Sequence, residues 1–310
     1  MHKGFPRTWA VWPGRWMVVG LVWVCVWSGA ETWSAEGEAP AATAETSETS
    51  EITRQDPAEV VTVAGKGEPL ASLEELWPVE VGTVHYFRYS DPVLASPPLG
   101  GGRAGGWAVV SKKEAEEGTL VELASRDLPG QVEAEFSARL SYLLADGLWL
   151  MEEEEWVADS HSDDDWVVRF KPGWPLVPAD LRQGAEWQGT VETFLRDVQG
   201  GAVDEERWRE RLRLRVVGLE TVEVEGGAVH QSSRVWPVRV SGGTYEDCVR
   251  IDVEVWQVDE SGQVITGESR LESRWFKPGV GLVKTEEEGS HGTMTTERVE
   301  VPDEKAEAPR

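Results

Sequence analysis

The sequence predicts a mainly β protein built on a large curved antiparallel sheet or half-barrel, with long strands and one or two short helices. Apolar and polar residues alternate with a period of two over long stretches, as in strands with one buried and one wet face. Clusters of Gly, Asp and Ser separate these stretches and suit hairpin turns. Helical periodicity is confined to residues 70–76 and 178–182.

The longest alternating stretch covers residues 132–144. Seven apolar or aromatic residues share one parity, from Val132 to Leu144. A strand of this length would extend roughly 40 Å at about 3.3 Å per residue, which is typical of large curved sheets and barrels. The same alternation recurs over residues 186–196, 211–224 and 249–255. We therefore expect about ten to twelve strands.

The first thirty residues have the features of a signal peptide. Lys3, Arg7 and Arg15 precede an apolar run over residues 16–27, and Ala30 ends a small-residue cleavage site. The run is shorter than the roughly 20 residues that span a bilayer, so no stable membrane span is expected. Cys25 raises the alternative of a lipid anchor, although Val24 stands where a lipoprotein signal has a small residue. The predicted location is the periplasm or the outer cell envelope.

Composition divides the remainder of the chain. Residues 31–69 are acidic and poor in large apolar side chains, which predicts a disordered linker, and residues 302–310 form a similar tail. Residues 70–301 form the predicted antiparallel β domain. The tetrapeptide Phe-Lys-Pro-Gly occurs at residues 170–173 and 276–279, so two similar halves, near 70–175 and 176–301, are an alternative to one undivided domain.

The charge balance is strongly acidic. The formal net charge is −26, and removal of the three signal-peptide cations makes it −29 (−26 − 3). This balance argues against nucleic acid as a partner. It favours an acidic coat that maintains solubility, with a cationic partner as the alternative. Cys248 is the single cysteine after cleavage, so we expect no intramolecular disulfide and a buried, inert thiol.

Candidates for chemistry are few. Asp159, Asp163 and Asp165 form a weak Ca²⁺ candidate, because Ca²⁺ prefers several oxygen ligands. The glycine and distal glutamate of an EF-hand loop are missing, so a solvated acidic loop is the favoured interpretation. No cofactor motif is present. Paired carboxylates of a hydrolase stay an alternative, since 56 acidic residues create many chance pairs.

Tryptophan is abundant, with 17 in the chain. Trp256 has the parity of Arg250 and Glu254, which predicts an exposed or half-exposed ring. Indole rings suit apolar ligands, so Trp256, Trp187 and Trp275 are the candidate ligand-binding residues, with packing in the core as the alternative.

Three motifs occur in order along the chain: PVEVG at residues 78–82, GTYEDC at 243–248 and PGVGLVK at 278–284. Together they resemble a broad group of bacterial exported proteins and lipoproteins of unknown function. The first motif departs from that group's pattern, because residues 84–86 stand where a tryptophan is usual. The resemblance implies an envelope protein with an antiparallel sheet, and it implies no catalytic residues.

The sequence therefore predicts a non-enzymatic exported envelope protein that binds an apolar ligand, such as a lipid, or a partner segment on a concave sheet face. The first alternative is a structural or assembly component that binds another envelope protein through a sheet edge. The second alternative is a carboxylate-based hydrolase.

Overall fold

A computed structural model describes residues 60–90, 102–129, 136–157, 165–199, 202–230, 238–265, 269–289 and 292–301. The predicted signal peptide with Cys25, most of the predicted linker and the tail at 302–310 lie outside these ranges. Within the described ranges, the first strand covers Val61–Val63, inside the segment whose composition predicts a linker.

The described ranges contain one short helix and fifteen strands, which confirms the mainly β prediction and exceeds the expected strand number. The elements are β1 (Val61–Val63), α1 (Leu73–Leu76), β2 (Val84–Ser90), β3 (Gly102–Ala115), β4 (Gly118–Arg126), β5 (Phe136–Leu144), β6 (Gly147–Val157), β7 (Asp165–Pro178), β8 (Glu186–Gln199), β9 (Ala202–Val224), β10 (Gly227–His230), β11 (Val238–Val240), β12 (Gly243–Val258), β13 (Arg270–Lys277), β14 (Gly281–Gly289) and β15 (Gly292–Val299).

Twelve of these strands form a closed antiparallel barrel. Their order around the ring is β3, β2, β15, β14, β13, β12, β9, β8, β7, β6, β5 and β4, and pairing of β4 with β3 completes it. The predicted curvature is thus confirmed, and it continues to full closure. Closure gives every strand of the ring a neighbour on both sides, which removes the free edges of an open sheet.

The alternating apolar residues face the inside of this barrel. Leu214 of β9 lies between Trp187 of β8 and Val253 of β12 in the strand register. All three side chains are buried. The parity predicted for β8, β12 and residues 212–216 of β9 is therefore the parity of the inner face, as expected for strands that are buried on one side. A register shift after Val216 places Val222 and Val224 on the opposite face.

Helix α1 closes one end of the barrel. Ser72 caps it, since its hydroxyl accepts a hydrogen bond from the Glu75 amide at 3.2 Å. After the helix, the ring of Trp77 packs 5.4 Å from that of Tyr142 and 6.5 Å from that of Phe276. The helix predicted at residues 70–76 is thus present in shorter form. The aromatic ring of Trp77, which follows it, packs against the rings of Tyr142 and Phe276.

The prediction of a helix at residues 178–182 is wrong. Strand β7 continues to Pro178, and a turn follows. The Asp180 carboxylate accepts hydrogen bonds from the amides of Arg182 and Gly65, both at 3.0 Å, and from the Arg182 side chain at 2.7 Å. A short acidic side chain that binds nearby amides competes with helix formation, which explains the difference.

A two-stranded arm lies against the outside of the barrel. The β9–β12 ladder ends at the pair Val224–Gly243 and resumes as β10–β11 at the pair Gly227–Val240. The tip then pairs with β3 in parallel. Apolar residues under the arm form a second core: Ala104, Leu128, Val222, Val224, Val229, Val240, Cys248, Trp275, Val283 and Val299.

The backbone is closely packed where the β9–β12 ladder ends and the β10–β11 ladder begins. A Cβ atom added to Gly242 would collide with the carbonyl oxygen of Val224. Arg88 of β2 donates to the carbonyls of Glu225 and Gly226, both at 3.2 Å. The arm is therefore clamped to the barrel where its two ladders meet.

Candidate functional site

The barrel encloses a set of charged side chains, named the interior cluster: Glu153, Glu155, Glu210, Arg270, Glu272, Arg274 and Glu287. The register places them on the inner face. Arg274 lies beside Ile251, and Glu272 lies between Val253 and Glu287. Five carboxyl groups thus share the interior with two guanidinium groups. Buried charges of this kind are costly unless they are paired or neutralised.

Arg274 spans the interior from β13 to β7. Its side chain is 1% exposed. Nε and Nη2 donate to the two Glu272 oxygens at 2.8 and 2.7 Å, and Nη1 donates to the carbonyls of Pro175 and Leu176 at 3.0 and 3.3 Å. The bidentate pair gives each Glu272 oxygen one charge-assisted hydrogen bond. The carbonyl contacts connect two strands that are separated by three others in the ring.

Arg270 attracts two further carboxyl groups, those of Glu287 and Glu210. It lies 3.5 Å from Glu287, and its guanidinium sits 5.6 Å from the centre of the Trp174 ring. Burial raises the pKa of Glu287 to about 7, despite the attraction of Arg270. Burial also raises the pKa of Glu210, which Arg270 and a hydrogen bond from Trp208 Nε1 at 3.1 Å partly offset. The attraction of Arg270 therefore only partly offsets the effect of burial on the pKa values of these two groups.

Glu153 is the most isolated member of the cluster. It is 1% exposed, and neither of its carboxyl oxygens has a hydrogen-bond partner within the described part of the chain. Burial, followed by the negative charge of Glu155, raises the pKa of Glu153 well above its ordinary value. Burial therefore favours the neutral, protonated form of this group over the carboxylate. The group could exchange a proton, but a substrate could reach it only through a rearrangement of the barrel.

The three candidate tryptophans do not form one site. Trp187 is buried on the inner face, where its ring meets Trp149 edge-on at 5.5 Å. Trp275 lies on the outer face under the arm, and its Nε1 donates to Glu220 at 2.9 Å. Trp256 is half-buried on the outer face, opposite Arg211. Parity alone predicted the half-exposed state of Trp256.

A row of arginines on the outer face was not singled out from the sequence. The arginine row is formed by Arg207, Arg209, Arg211, Arg213 and Arg215 of β9. These residues have the outward parity, opposite to buried Leu212 and Leu214. The signal was present in the sequence, since every second residue from 207 to 215 is an arginine. By itself, this alternation indicates only a strand with one polar face.

The Ca²⁺ candidate cannot be placed. Asp159, Asp163 and the side chain of Asp165 lie outside the described residues. Across the ranges that are described, no group of three or more His, Cys, Asp or Glu side chains is arranged to hold a metal ion. Within the same ranges, no helix has the length and apolar character needed to cross a membrane.

Comparisons with known proteins give two distant structural likenesses. No family model matches the sequence, and no curated protein matches it. A Bacteroides fragilis protein provisionally described as exported, with a YmcC-like fold, shares 13% identity over 72% of this chain and 97% of its own, with a TM-score of 0.36. A Parabacteroides distasonis protein provisionally described as a lipoprotein shares 11% identity over 80% of this chain and 100% of its own, with a TM-score of 0.32. Scores of this size carry no functional argument, so the architecture rests on the strand pairing of the chain itself.

Proposed function

We propose that the protein is an exported, non-enzymatic component of the cell envelope that binds another envelope protein through its outer surface. The observation that carries this proposal is the filling of the barrel. Trp174, Arg274, Tyr142 and Phe276 project inward and are each less than 2% exposed. Side chains thus fill the concave face of the sheet, so a partner would bind to the outer surface of the barrel.

The concave face is a poor host for an apolar ligand. Such a ligand would have to displace packed aromatic rings and the Arg274–Glu272 pair. Protein interiors are packed as densely as organic crystals, and displaced core side chains cost several kcal/mol in total. Outer-face residues such as Trp256 need no such displacement, and Trp and Arg are enriched at protein interfaces.

A carboxylate-based hydrolase is also disfavoured by the interior. Hydrolysis of a glycoside needs two carboxyl groups that flank a bound substrate. Glu153 and Glu155 lie two residues apart on β6 and are both buried. A substrate between them would require the barrel to open.

Export is part of the proposal and is supported by the signal peptide predicted over residues 1–30 and by the three sequence motifs. Mass spectrometry of the N-terminus after expression in a bacterial host tests it. We expect the mature chain to begin at Glu31. A diacylated N-terminus at Cys25 would instead identify a lipoprotein, and an intact Met1 would contradict export by signal cleavage.

A fluorescent apolar probe, 1-N-phenylnaphthylamine, tests whether the barrel interior binds an apolar ligand. We expect no saturable rise in its fluorescence with the full chain. Saturable one-to-one binding that a fatty acid displaces would overturn the proposal and favour a carrier.

A photoreactive residue placed at Trp256 tests the outer face in living cells. We expect a discrete protein adduct from position 256. Lys113, which is exposed on β3, provides the matched control position. An adduct pattern that is identical at both positions would contradict a specific outer surface.

A further inference from the structure

The arginine row concentrates positive charge on an acidic molecule. Five of the 22 arginines of the chain lie within nine residues. Their side chains project from one face of β9 at intervals of about 6.7 Å, because alternate residues of a strand share a face. Arg207 and Arg215, at the two ends of the row, are 56% and 60% exposed.

The neighbouring carboxylates only partly neutralise the row. Glu192 is shared by Arg207 and Arg209. Glu186 is shared by Arg213, at 2.9 Å, and Arg215, at 3.8 Å. Glu254 lies 3.7 Å from Arg213. Five guanidinium groups therefore share three carboxylates among the ion pairs of the row, an excess of two positive charges (5 − 3). Asp252 lies opposite Arg215 in the register but pairs with Arg250.

Arg211, at the centre of the row, binds a main-chain oxygen instead of a carboxylate. Its Nη2 donates to the Gly262 carbonyl at 2.7 Å, so its positive charge is not cancelled there. Two aromatic rings flank the row. Phe194 lies under the Arg207 guanidinium at 5.1 Å, and Trp256 lies opposite Arg211 in the register. Arginine beside half-buried aromatic rings is a composition found in the central part of protein interfaces.

We propose that the arginine row binds an extended, acidic polypeptide segment whose carboxylates occupy alternate positions. An extended chain repeats its side chains at the spacing of the row, so each carboxylate of such a segment can meet one guanidinium. Guanidinium groups suit carboxylates because they offer several donors in a planar fork. This inference rests on the proposed outer-surface function and names the surface and the chemistry of the partner.

The net negative charge of the protein does not prevent this binding at physiological salt. At about 0.15 M ionic strength, charges farther apart than about 8 Å are largely screened. The partner segment therefore interacts mainly with the row itself. At low salt, the rest of the molecule repels an acidic segment, so binding should be strongest at intermediate ionic strength.

The test measures fluorescence anisotropy of a labelled synthetic peptide of alternating Glu and Thr, added to the full chain at about 0.15 M salt. A control peptide has the same composition but its Glu residues in one block, so it carries the same charge without the alternating spacing. We expect saturable binding of the alternating peptide and weaker binding of the block peptide. Equal affinity for both peptides, or binding of neither, would overturn the proposal.

Variants locate the binding surface. Arg207→Gln with Arg215→Gln removes the two exposed ends and leaves Arg209 and Arg213 to pair with Glu192 and Glu186. We expect about tenfold weaker binding from the loss of two exposed ion pairs.

Lys112→Gln with Lys113→Gln is the matched control, since it removes the same charge from exposed residues of β3. We expect this variant to bind as the parent protein does. An equal loss in both double variants would attribute binding to net charge and refute the site. Failure of all peptides to bind would leave the apolar-probe result, and hence the outer-surface proposal, unaffected.

Discussion

Replacement of Arg274 by methionine tests how much the hydrogen bonds of Arg274 to Glu272 and to the carbonyls of β7 stabilise the protein. Methionine retains most of the volume, so the change removes charge and hydrogen bonds with little loss of packing. Glu272 would be left buried without its partner, and breaking a buried ion pair costs about 3–5 kcal/mol. The Pro175 and Leu176 carbonyls would also lose their donor, at about 1–3 kcal/mol for each group left unsatisfied.

We expect the free energy of unfolding to fall by about 4 kcal/mol, the middle of the range for a broken buried ion pair. Urea unfolding at pH 7, followed by tryptophan fluorescence, measures the change. Arg169→Met is the matched control, because Arg169 also pairs with a glutamate, Glu152, but its side chain is 66% exposed. We expect that control to lose less than about 1 kcal/mol.

A double variant that combines Arg274→Met with Glu272→Gln completes the cycle. Removal of both charges should restore part of the stability, because no uncompensated buried charge remains. The reasoning would be refuted if Arg274→Met destabilised the protein no more than Arg169→Met. It would also be refuted if the two changes at the pair were simply additive.

Three further predictions concern pH, the arm and the thiol. Burial raises the pKa of Glu287 to about 7 from an unfolded value of 4.5, so the folded state holds this proton more tightly and stability should fall by about 3 kcal/mol as pH rises from 4.5 to 7. Thermal melts of Glu287→Gln should lose that part of the pH dependence, and an unchanged slope would contradict the assignment. Gly242→Ala should cost about 2–3 kcal/mol in urea unfolding, because its Cβ meets the backbone carbonyl of Val224; Gly243→Ala, whose Cβ would be 3.9 Å from the nearest side-chain atom, should cost clearly less, and equal losses would count against the close crossing. Burial raises the pKa of the Cys248 thiol to about 11, so Ellman's reagent should react with it only in urea, and rapid reaction of the native protein would disprove its burial.

Local patterns were sufficient for much of the β structure. Alternation identified β5, β8, β9 and β12 because the side chains of a strand point to opposite faces in turn. It also assigned Trp256 to the exposed face and Val253 to the buried face, as the structure has them. The turn at Asp180 was missed because a side chain that binds main-chain amides leaves little trace in hydrophobic periodicity.

The interior cluster could be predicted only in part. Glu153 and Glu155 belong to an unbroken acidic run, which suggests a solvated segment. Once the run is known to be a strand, alternate members must face inward, and Glu152 is left outside with Arg169. The burial that raises the pKa of Glu153 depends on closure of the barrel, which the local sequence does not encode.

The sequence by itself determined that the chain is mainly β, which side of β5, β8 and β12 is apolar and where several of the turns fall, because these properties depend on neighbouring residues. The tertiary structure alone decided that the sheet closes, that Arg274 of β13 reaches the carbonyls of β7, and that the arm covers Trp275. Each of these features joins residues that are far apart in the chain. Contacts of this kind depend on how distant strands pack in the closed barrel, and local alternation carries no information about them.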